Sequence, residues 1–584
     1  MHVGQGFSCA VAIIGGGPAG STLGTLLRLY DPSRSVMILE KEVFPREHVG
    51  ESQLPPINAV LEEMGAWDKV EAAGFPIKIG ASYTWGKSPE QWDFDLYPID
   101  AYEERPRPGV LDSQRRLTTF QVDRATYDTI LLDRAAEVGC DVRQGARVAE
   151  IRTSGDHVDA LVLEDGSTVT AQHYVDASGT VGILRRAMGV ESQVAPTLRN
   201  IAIWQYWDDV PWAVAIGNAT RVQVRSIGFG WLWYIPISQT RASCGLVCPA
   251  DYYKERGLSP EALYAEAVAK EPRIADLLAK GRASGPVLST KDWSQLSDRL
   301  HGENWWLCGE TAGFADPILA AGMTLAHQSA RDLACTILEL RRGQIDPQWL
   351  RSQYNDRTRR SIRQHIQFAE YWYASNGQFT DLQEHCAKIA QETGLNLSPQ
   401  QAWAWLAQGG FTNADAFIPL FGSYDLAAAR RVMEIFSGQK HGYSFDKFNV
   451  LRPNLEGAQP GAIARYHKGR VERVEGLMRG NYFVAYRGHQ GLIMKFVTQT
   501  SDINQVFALL QHWVTTETPA AQHPYYRNLL IQALESLVLE GWIVGSVNPD
   551  RPMLQWEYVP SRQIKWAKEN QSIIESRWGA LAGD

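Results

Sequence analysis

The 584-residue chain has no uninterrupted apolar run of membrane-spanning length, and its first residues hold no basic stretch followed by an apolar one. Neither a membrane span nor a secretion leader is expected. Positive charge is also short: 57 Lys and Arg stand against 65 Asp and Glu, a net charge of -8. That balance argues against nucleic acid as the main partner. Cysteine is scarce, with seven residues (Cys9, Cys140, Cys244, Cys248, Cys308, Cys335 and Cys386) scattered and odd in number. Cys244 and Cys248 lie four apart without a matching second pair, so no zinc site is expected and no metal is assigned. Reduced thiols in a cytoplasmic protein fit this usage. Internal repeats and low-complexity segments are missing as well.

What the chain holds in abundance is tryptophan, 20 residues within an otherwise ordinary globular composition of 45% hydrophobic and 21% charged residues. So many indoles point to aromatic-lined pockets beyond a plain core. Trp231 and Trp233 flank Leu232 and run into Tyr234-Ile235-Pro236. A one-residue spacing sends both rings to one face of a strand, and the proline ends regular pairing. Alone, the segment reads as a core strand of an antiparallel sheet. The length exceeds one core, so roughly two to four domains are expected.

Residues 8–14 (Ser-Cys-Ala-Val-Ala-Ile-Ile) read as a buried parallel strand entering Gly15-Gly16-Gly17-Pro18-Ala19-Gly20. An amphipathic helix to about Tyr30 follows, then a strand from Ser35 to Leu39 ending at Glu40 and Lys41. This is a minimal Rossmann half. Gly15 permits the tight turn, Gly17 opens the backbone to a pyrophosphate, and Gly20 lets helix and strand approach. Glu40 stands where a ribose hydroxyl is bound. A dinucleotide is expected, and the placement at the N-terminus favours tightly held FAD.

Further segments follow in order. Phe44-Pro45-Arg46 with Gly50-Glu51-Ser52 resembles the loop lying along the flavin in flavin-dependent halogenases and their monooxygenase relatives. Val122-Asp123-Arg124, followed by Tyr127-Asp128, resembles their arginine-bearing cofactor segment, and Val175-Asp176-Ala177-Ser178-Gly179 reads as a strand end closing on the nucleotide. Cys308 to Pro317 opens a long helix near Leu319; Glu310 there replaces the usual Asp of the ribityl-binding turn, one methylene longer. The helix N-terminus beyond it points its positive end at the isoalloxazine, near Pro317, Gly322 and Met323.

With these pieces the chain resembles the FAD-dependent halogenases acting on phenolic or pyrrolic units of natural products. The resemblance covers residues 8 to about 345. It implies FAD used as FADH2, supplied by a separate flavin reductase, with O2 and chloride or bromide as co-substrates. A flavin C4a-hydroperoxide would be attacked by halide, yielding hypohalous acid. Trp231-x-Trp233-x-Ile235-Pro236 matches the W-x-W-x-I-P signature, which keeps substrate from the flavin. Lys78 sits where the family has its essential lysine; a desolvated amine of lowered pKa can hold and aim the hypohalous acid. Without the resemblance, Lys78 reads as a surface charge. The third signature, F-x-x-P-x-x-S-x-G, appears as Phe314, Pro317, Ala320 and Gly322, with alanine for serine. The Ala321 and Gly322 amides can still cradle halide. No second carboxylate beside Lys78 is assignable. Asp316 is a candidate for covalent FAD attachment by the same resemblance.

Two readings stay open. One is a halogenase acting on a free or carrier-tethered electron-rich arene. The other is a monooxygenase or oxidase on the same scaffold, favoured by Ala320 and Glu310. A flavin-binding DNA regulator is disfavoured because no dense basic stripe is present. The expected fold is α/β. A Rossmann-like FAD core spans residues 1–345, with an antiparallel, aromatic-hydroxylase-like substrate sheet inserted at about 185–300. The aromatic, prolyl stretch 83–118 reads as an inserted loop, and Val148 to Arg152 and Ala160 to Leu163 read as hairpin strands with a turn at 164–166. Residues 346–452 are expected to be a helical cover with exposed aromatics (Tyr371, Trp372, Tyr373, Trp403 and Trp405). A linker at 453–462 then leads to a winged-helix-like module at 463–584, making the C-terminal region mainly helical.

Overall fold

The computed structural model describes residues 5–291, 294–392, 426–556 and 561–578. A seven-stranded sheet is centred on Gly6–Ile14, which pairs in parallel with Val36–Glu40 and with Thr168–Asp176. Asp141–Gln144 and Trp305–Leu307 extend it in parallel, and an antiparallel meander, Val148–Ser154 and His157–Leu163, completes it. Val11, Ala12 and Ile13 are fully buried, as a strand covered on both faces requires. The meander turns at Gly155-Asp156, and the 164–166 turn leads instead into Thr168–Asp176. One face carries Pro18–Tyr30, which packs against the long helix Gly322–Arg342.

A second sheet of nine strands forms the other layer. Its order is Arg282–Lys291, Asn200–Asp208, Ala242–Pro249, Gly230–Pro236, Ala219–Ile227, Ile77–Thr84, Trp92–Asp95 and Ile564–Trp566, with Thr119–Phe120 also on Ile77–Thr84. It departs from the expected antiparallel insert of 185–300 in two ways. Ala219–Ile227 and Ile77–Thr84 run parallel, and four strands come from outside that range. The stretch 83–118, expected as loop, supplies the strand Trp92–Asp95 and a short helix, Ser113–Leu117, capped by the Asp112 side chain accepting from Arg115 N–H. A fully buried ion cluster anchors this side. Arg221 donates to Asp93 (3.1 Å) and Asp95 (2.8 Å), and Asn570 of the last helix donates to Asp93 (2.9 Å).

The helices Pro347–Ala374, Gln383–Glu392 and Leu426–Ser437 follow these two sheets in the chain. Tyr371, Trp372 and Tyr373 are buried rather than exposed: Trp372 and Tyr373 turn inward onto the nine-stranded sheet, where Trp372 meets Tyr83 edge-on and Trp92 at a tilt, while Tyr371 packs against Met433 and Phe436 of Leu426–Ser437. Trp403 and Trp405 lie outside the described residues. Strands are interleaved with the helices of the C-terminal region. Gln459–His467, Arg470–Arg479 and Tyr482–Ala485 form an antiparallel sheet, so half of the expected linker is strand. Three helices, Gly488–Gln499, Ile503–Glu517 and His523–Leu539, precede Ile543–Ser546. That strand pairs back with Val450–Pro453 rather than forming a wing hairpin. Among the described residues no helix is long and apolar enough to cross a membrane.

Candidate active site

At the nucleotide end, the turn after Gly6–Ile14 leaves no room for side chains. Gly15 has φ +107°, and a Cβ there would sit 2.4 Å from the Ala177 carbonyl oxygen; one on Gly20 would sit 1.9 Å from the Gly15 carbonyl. Glu40, nearly buried, closes the second strand by accepting Gly16 N–H at 2.7 Å and Glu42 N–H at 2.9 Å. Ala19 is buried beneath Gly309, and Lys41 is half-exposed beside Glu42. Arg46 stacks over Phe44 and approaches Asp128 at 3.3 Å through Nη2, close to the Gly17 Cα. Its Nη1, like Ser52 Oγ, is buried without an acceptor. A glycine cradle flanked by two orphaned polar groups fits a bound dinucleotide.

Arg124 is a buried clamp. Its guanidinium forks onto Asp128 at 2.8 and 2.9 Å and donates to the carbonyls of Val49 (2.9 Å) and Gly50 (3.2 Å), fixing the loop that carries Glu51 and Ser52. Burial opposes its charge, and the Asp128 carboxylate more than offsets that, so its pKa is raised. Asp176 is engaged inside the protein: its oxygens accept from Ser178 and from the Leu184 and Arg185 amides. It braces the turn containing Gly179. Glu310 lies within reach of Gly179, and burial pushes its carboxyl upward against the pull of Arg124. His327, unanticipated, joins three helices by hydrogen bonds with Thr22 (2.8 Å) and Tyr127 (2.9 Å); burial lowers it to about 3, so it is neutral.

Between the nine-stranded sheet and the segments 48–54 and 310–323 opens a cavity of about 400 Å³. It brings together Ser52, Lys78, Arg124, Trp231, Trp233, Glu310, Pro317, Ala321, Gly322 and Met323. Gly15, Gly17, Ala19, Gly20, Glu40, Lys41, Arg46, Asp176 and Gly179 stay at the nucleotide end, off its walls. Lys78 faces the cavity because alternation in Ile77–Thr84 sends Ile77 and Ile79 to a separate apolar cluster on the other side. It is 4% exposed, and Nζ donates to the Gln53 carbonyl at 2.8 Å. Burial alone lowers it to about 7. Gln53 itself carried no sequence signal.

Trp231 and Trp233 share one face, their ring centroids 6.0 Å apart. Trp233 lies flat over Gly245 on the paired strand, where a Cβ would meet its ring at 2.3 Å, and donates Nε1–H to Ser243 Oγ at 3.0 Å. On the opposite wall the Phe314 ring rests on Gly322, where a Cβ would be 2.6 Å away. The turn Pro317–Leu319 ends at Ala320 with φ +52°, and the 21-residue helix Gly322–Arg342 begins beyond it. Its first amides have no intrahelical acceptor and face the cavity mouth with the positive end of the helix. Asp316, the covalent-attachment candidate, is directed away: its carboxylate is 2% exposed and occupied by Tyr373, Ile318 and Asn200. Glu51 of the Gly50-Glu51-Ser52 segment also lines the cavity, as do Tyr83 and Trp372, which no motif singled out.

The family described as FAD binding domain matches residues 8–369. A tryptophan 2-halogenase of Chondromyces crocatus is 32% identical over 349 residues, 58% of this chain; the match spans only 63% of that protein's length. A 1H-pyrrole-2-carbonyl-[peptidyl-carrier protein] chlorinase of Pseudomonas fluorescens is 32% identical over 386 residues, covering 63% of this chain and 84% of that protein. Among solved structures, the myxobacterial chondrochloren halogenase superposes with a TM-score of 0.59 at 26% identity, over 74% of this chain and 97% of its own. CmlS, a flavin-dependent halogenase, superposes with a TM-score of 0.70 over 95% and 99% of the two chains; at 24% identity this shows likeness of fold.

Proposed function

Because the chain belongs to the FAD-binding domain family and, within it, to the flavin-dependent halogenases, we propose that it halogenates an uncharged, electron-rich arene. The reduced flavin would come from a separate reductase in the cytoplasm. When bound, FADH2 supplies the two electrons that, with O2, convert chloride or bromide to hypohalous acid and water. Gly15, Gly17, Gly20, Glu40, Arg46, Ser52 and Glu310 would hold the cofactor. The Ala321 and Gly322 amides would hold halide.

The observation that carries this reading is Lys78: a buried amine lowered to about 7, in one cavity with both wall tryptophans. Near neutral pH it exists in both protonation states. As an ammonium it donates a hydrogen bond to the oxygen of hypohalous acid, making the halogen more electrophilic; as the arene takes the halogen, that proton leaves with the oxygen as water, and the proton lost from the ring carbon returns to the amine. The Gln53 carbonyl fixes the direction of the amine. Trp231 and Trp233 keep the arene on the Lys78 side. The walls around them, Tyr83, Phe94, Leu96, Val222, Val224 and Trp372, are aromatic or aliphatic and suit a neutral phenol or pyrrole. A carrier-tethered substrate is compatible with this chemistry.

The test supplies FADH2, O2 and chloride or bromide with phenols and pyrroles, free and carrier-bound, and reads isotope patterns by mass spectrometry. Halogenated product is expected. Oxygenated products alone, equally abundant without halide, would sink the proposal. They would support the monooxygenase reading, which Ala320 favours because the serine hydroxyl of the signature is missing from the halide-side turn.

A further inference from the structure

The tryptophan wall is held by more than packing. Trp231 Nε1–H donates to Tyr373 Oη at 2.8 Å, and Tyr373 Oη donates to Asp316 Oδ1 at 3.0 Å. An indole nitrogen only donates, so the direction is fixed and the single phenolic proton goes to the carboxylate. The same Oδ1 accepts Ile318 N–H at 2.9 Å, while Oδ2 accepts from Asn200 Nδ2 at 3.2 Å. The whole relay is buried, so water does not substitute for a lost partner.

Three elements meet in it. Tyr373 is on the last turn of Pro347–Ala374, Trp231 on the strand Gly230–Pro236, and Asp316 caps the turn that sets Ala320, Ala321 and Gly322. Ala320 is held in the left-handed region, which a residue with a side chain adopts only when its surroundings impose it. We infer that Tyr373 is a positioning residue that locks the Trp231 indole to the Ala321–Gly322 turn, so that the wall and the halide-side amides keep one geometry. This rests on the halogenase reading of the cavity. Loss of the hydroxyl frees the indole to turn and relaxes the cap, and the hypohalous species then escapes before meeting the arene.

Tyr373→Phe is the variant of choice, because the ring contacts with Trp85 and Phe379 survive it. The FAD-loaded protein is assayed for halogenated product formed per FADH2 consumed. An expected fall of about three- to tenfold corresponds to one lost buried hydrogen bond, with FAD affinity and melting temperature close to wild type. In the ¹H–¹⁵N spectrum of indole-labelled protein, the Trp231 N–H signal, assigned with Trp231→Phe, shifts upfield. Asp316→Asn, which keeps an acceptor for Tyr373, stays within about twofold of wild-type coupling, since a neutral acceptor preserves the bond at modest cost. A merely structural role would lower turnover while leaving product per FADH2 unchanged. That result, or an unmoved Trp231 signal, overturns the inference. Wild type run alongside separates the failures: a wild type that makes no halogenated product removes the halogenase reading and this inference with it, whereas normal coupling in both proteins removes the inference alone.

Discussion

Replacing Lys78 by methionine should abolish halogenation and at the same time stabilise the protein. The amine is 4% exposed, and among the described residues its hydrogen-bond partner is the Gln53 carbonyl. Burial depresses it from 10.5 to about 7. At about 1.4 kcal/mol per pH unit, charging Lys78 costs the folded state about 5 kcal/mol relative to the unfolded chain. Below pH 7 both states are protonated, and the whole penalty is present. Between pH 7 and 10.5 the unfolded chain binds the extra proton, so wild-type stability rises with pH, and the penalty shrinks to about 1–2 kcal/mol by pH 9.5. Methionine of similar length removes the charge but leaves the Gln53 carbonyl unpaired, a loss of about 1 kcal/mol. Lys78→Met should therefore gain about 3–4 kcal/mol at pH 6 and almost nothing at pH 9.5. Melting of the FAD-loaded protein in halide-free buffer at both pH values measures it, with a rise of several degrees expected at pH 6. A destabilised variant at pH 6, or a gain independent of pH, would refute the picture of a desolvated amine.

Gly245→Ala puts a methyl where the Trp233 ring lies, 2.3 Å from the nearest atom; the cost should be about 1–3 kcal/mol by melting, together with a larger share of oxygenated product. Ala320→Gly relieves a left-handed alanine at φ +52° and should stabilise by about 1 kcal/mol, which thermal unfolding at fixed FAD reads out. Arg221→Met strands Asp93 and Asp95 in the interior and should cost about 3–5 kcal/mol; an unchanged melting temperature would show that the cluster is not coupled to the global fold.

The first strand–helix–strand unit was legible because its requirements are local: a buried strand, three glycines and a helix within one short stretch of chain. The tryptophan pair was legible for the same reason, since alternation alone puts Trp231 and Trp233 on one face. The nine-stranded sheet was not. Ile77–Thr84 finds a parallel partner more than 130 residues away, and Trp92–Asp95 is completed by Ile564–Trp566. Such pairings leave no periodicity at either partner, so 83–118 reads as loop and the C-terminal strands disappear into an apparently helical module. The aromatic run Tyr371-Trp372-Tyr373 looks exposed because its charged helix looks exposed. The approach of that helix to the sheet and to Leu426–Ser437 buries its final turn.

That long-range pairing also helps to bury Lys78. A lysine acquires a pKa near 7 only if water is excluded and no carboxylate compensates. In this sheet the two acids nearest the strand, Asp93 and Asp95 on the neighbouring strand, are both committed to Arg221. Asp95 pairs in register with Gly80 and Asp93 with Ser82, and the register shift between Lys78 and Gly80 leaves Lys78, Ala81 and Tyr83 on the cavity side and the cluster off its walls. Asn570, delivered by the last helix, donates to Asp93 and helps keep the cluster closed. The C-terminal segment thus contacts the ion cluster without lining the cavity. It caps the edge of the sheet and keeps the acids paired with arginine, leaving the amine desolvated beside a backbone carbonyl.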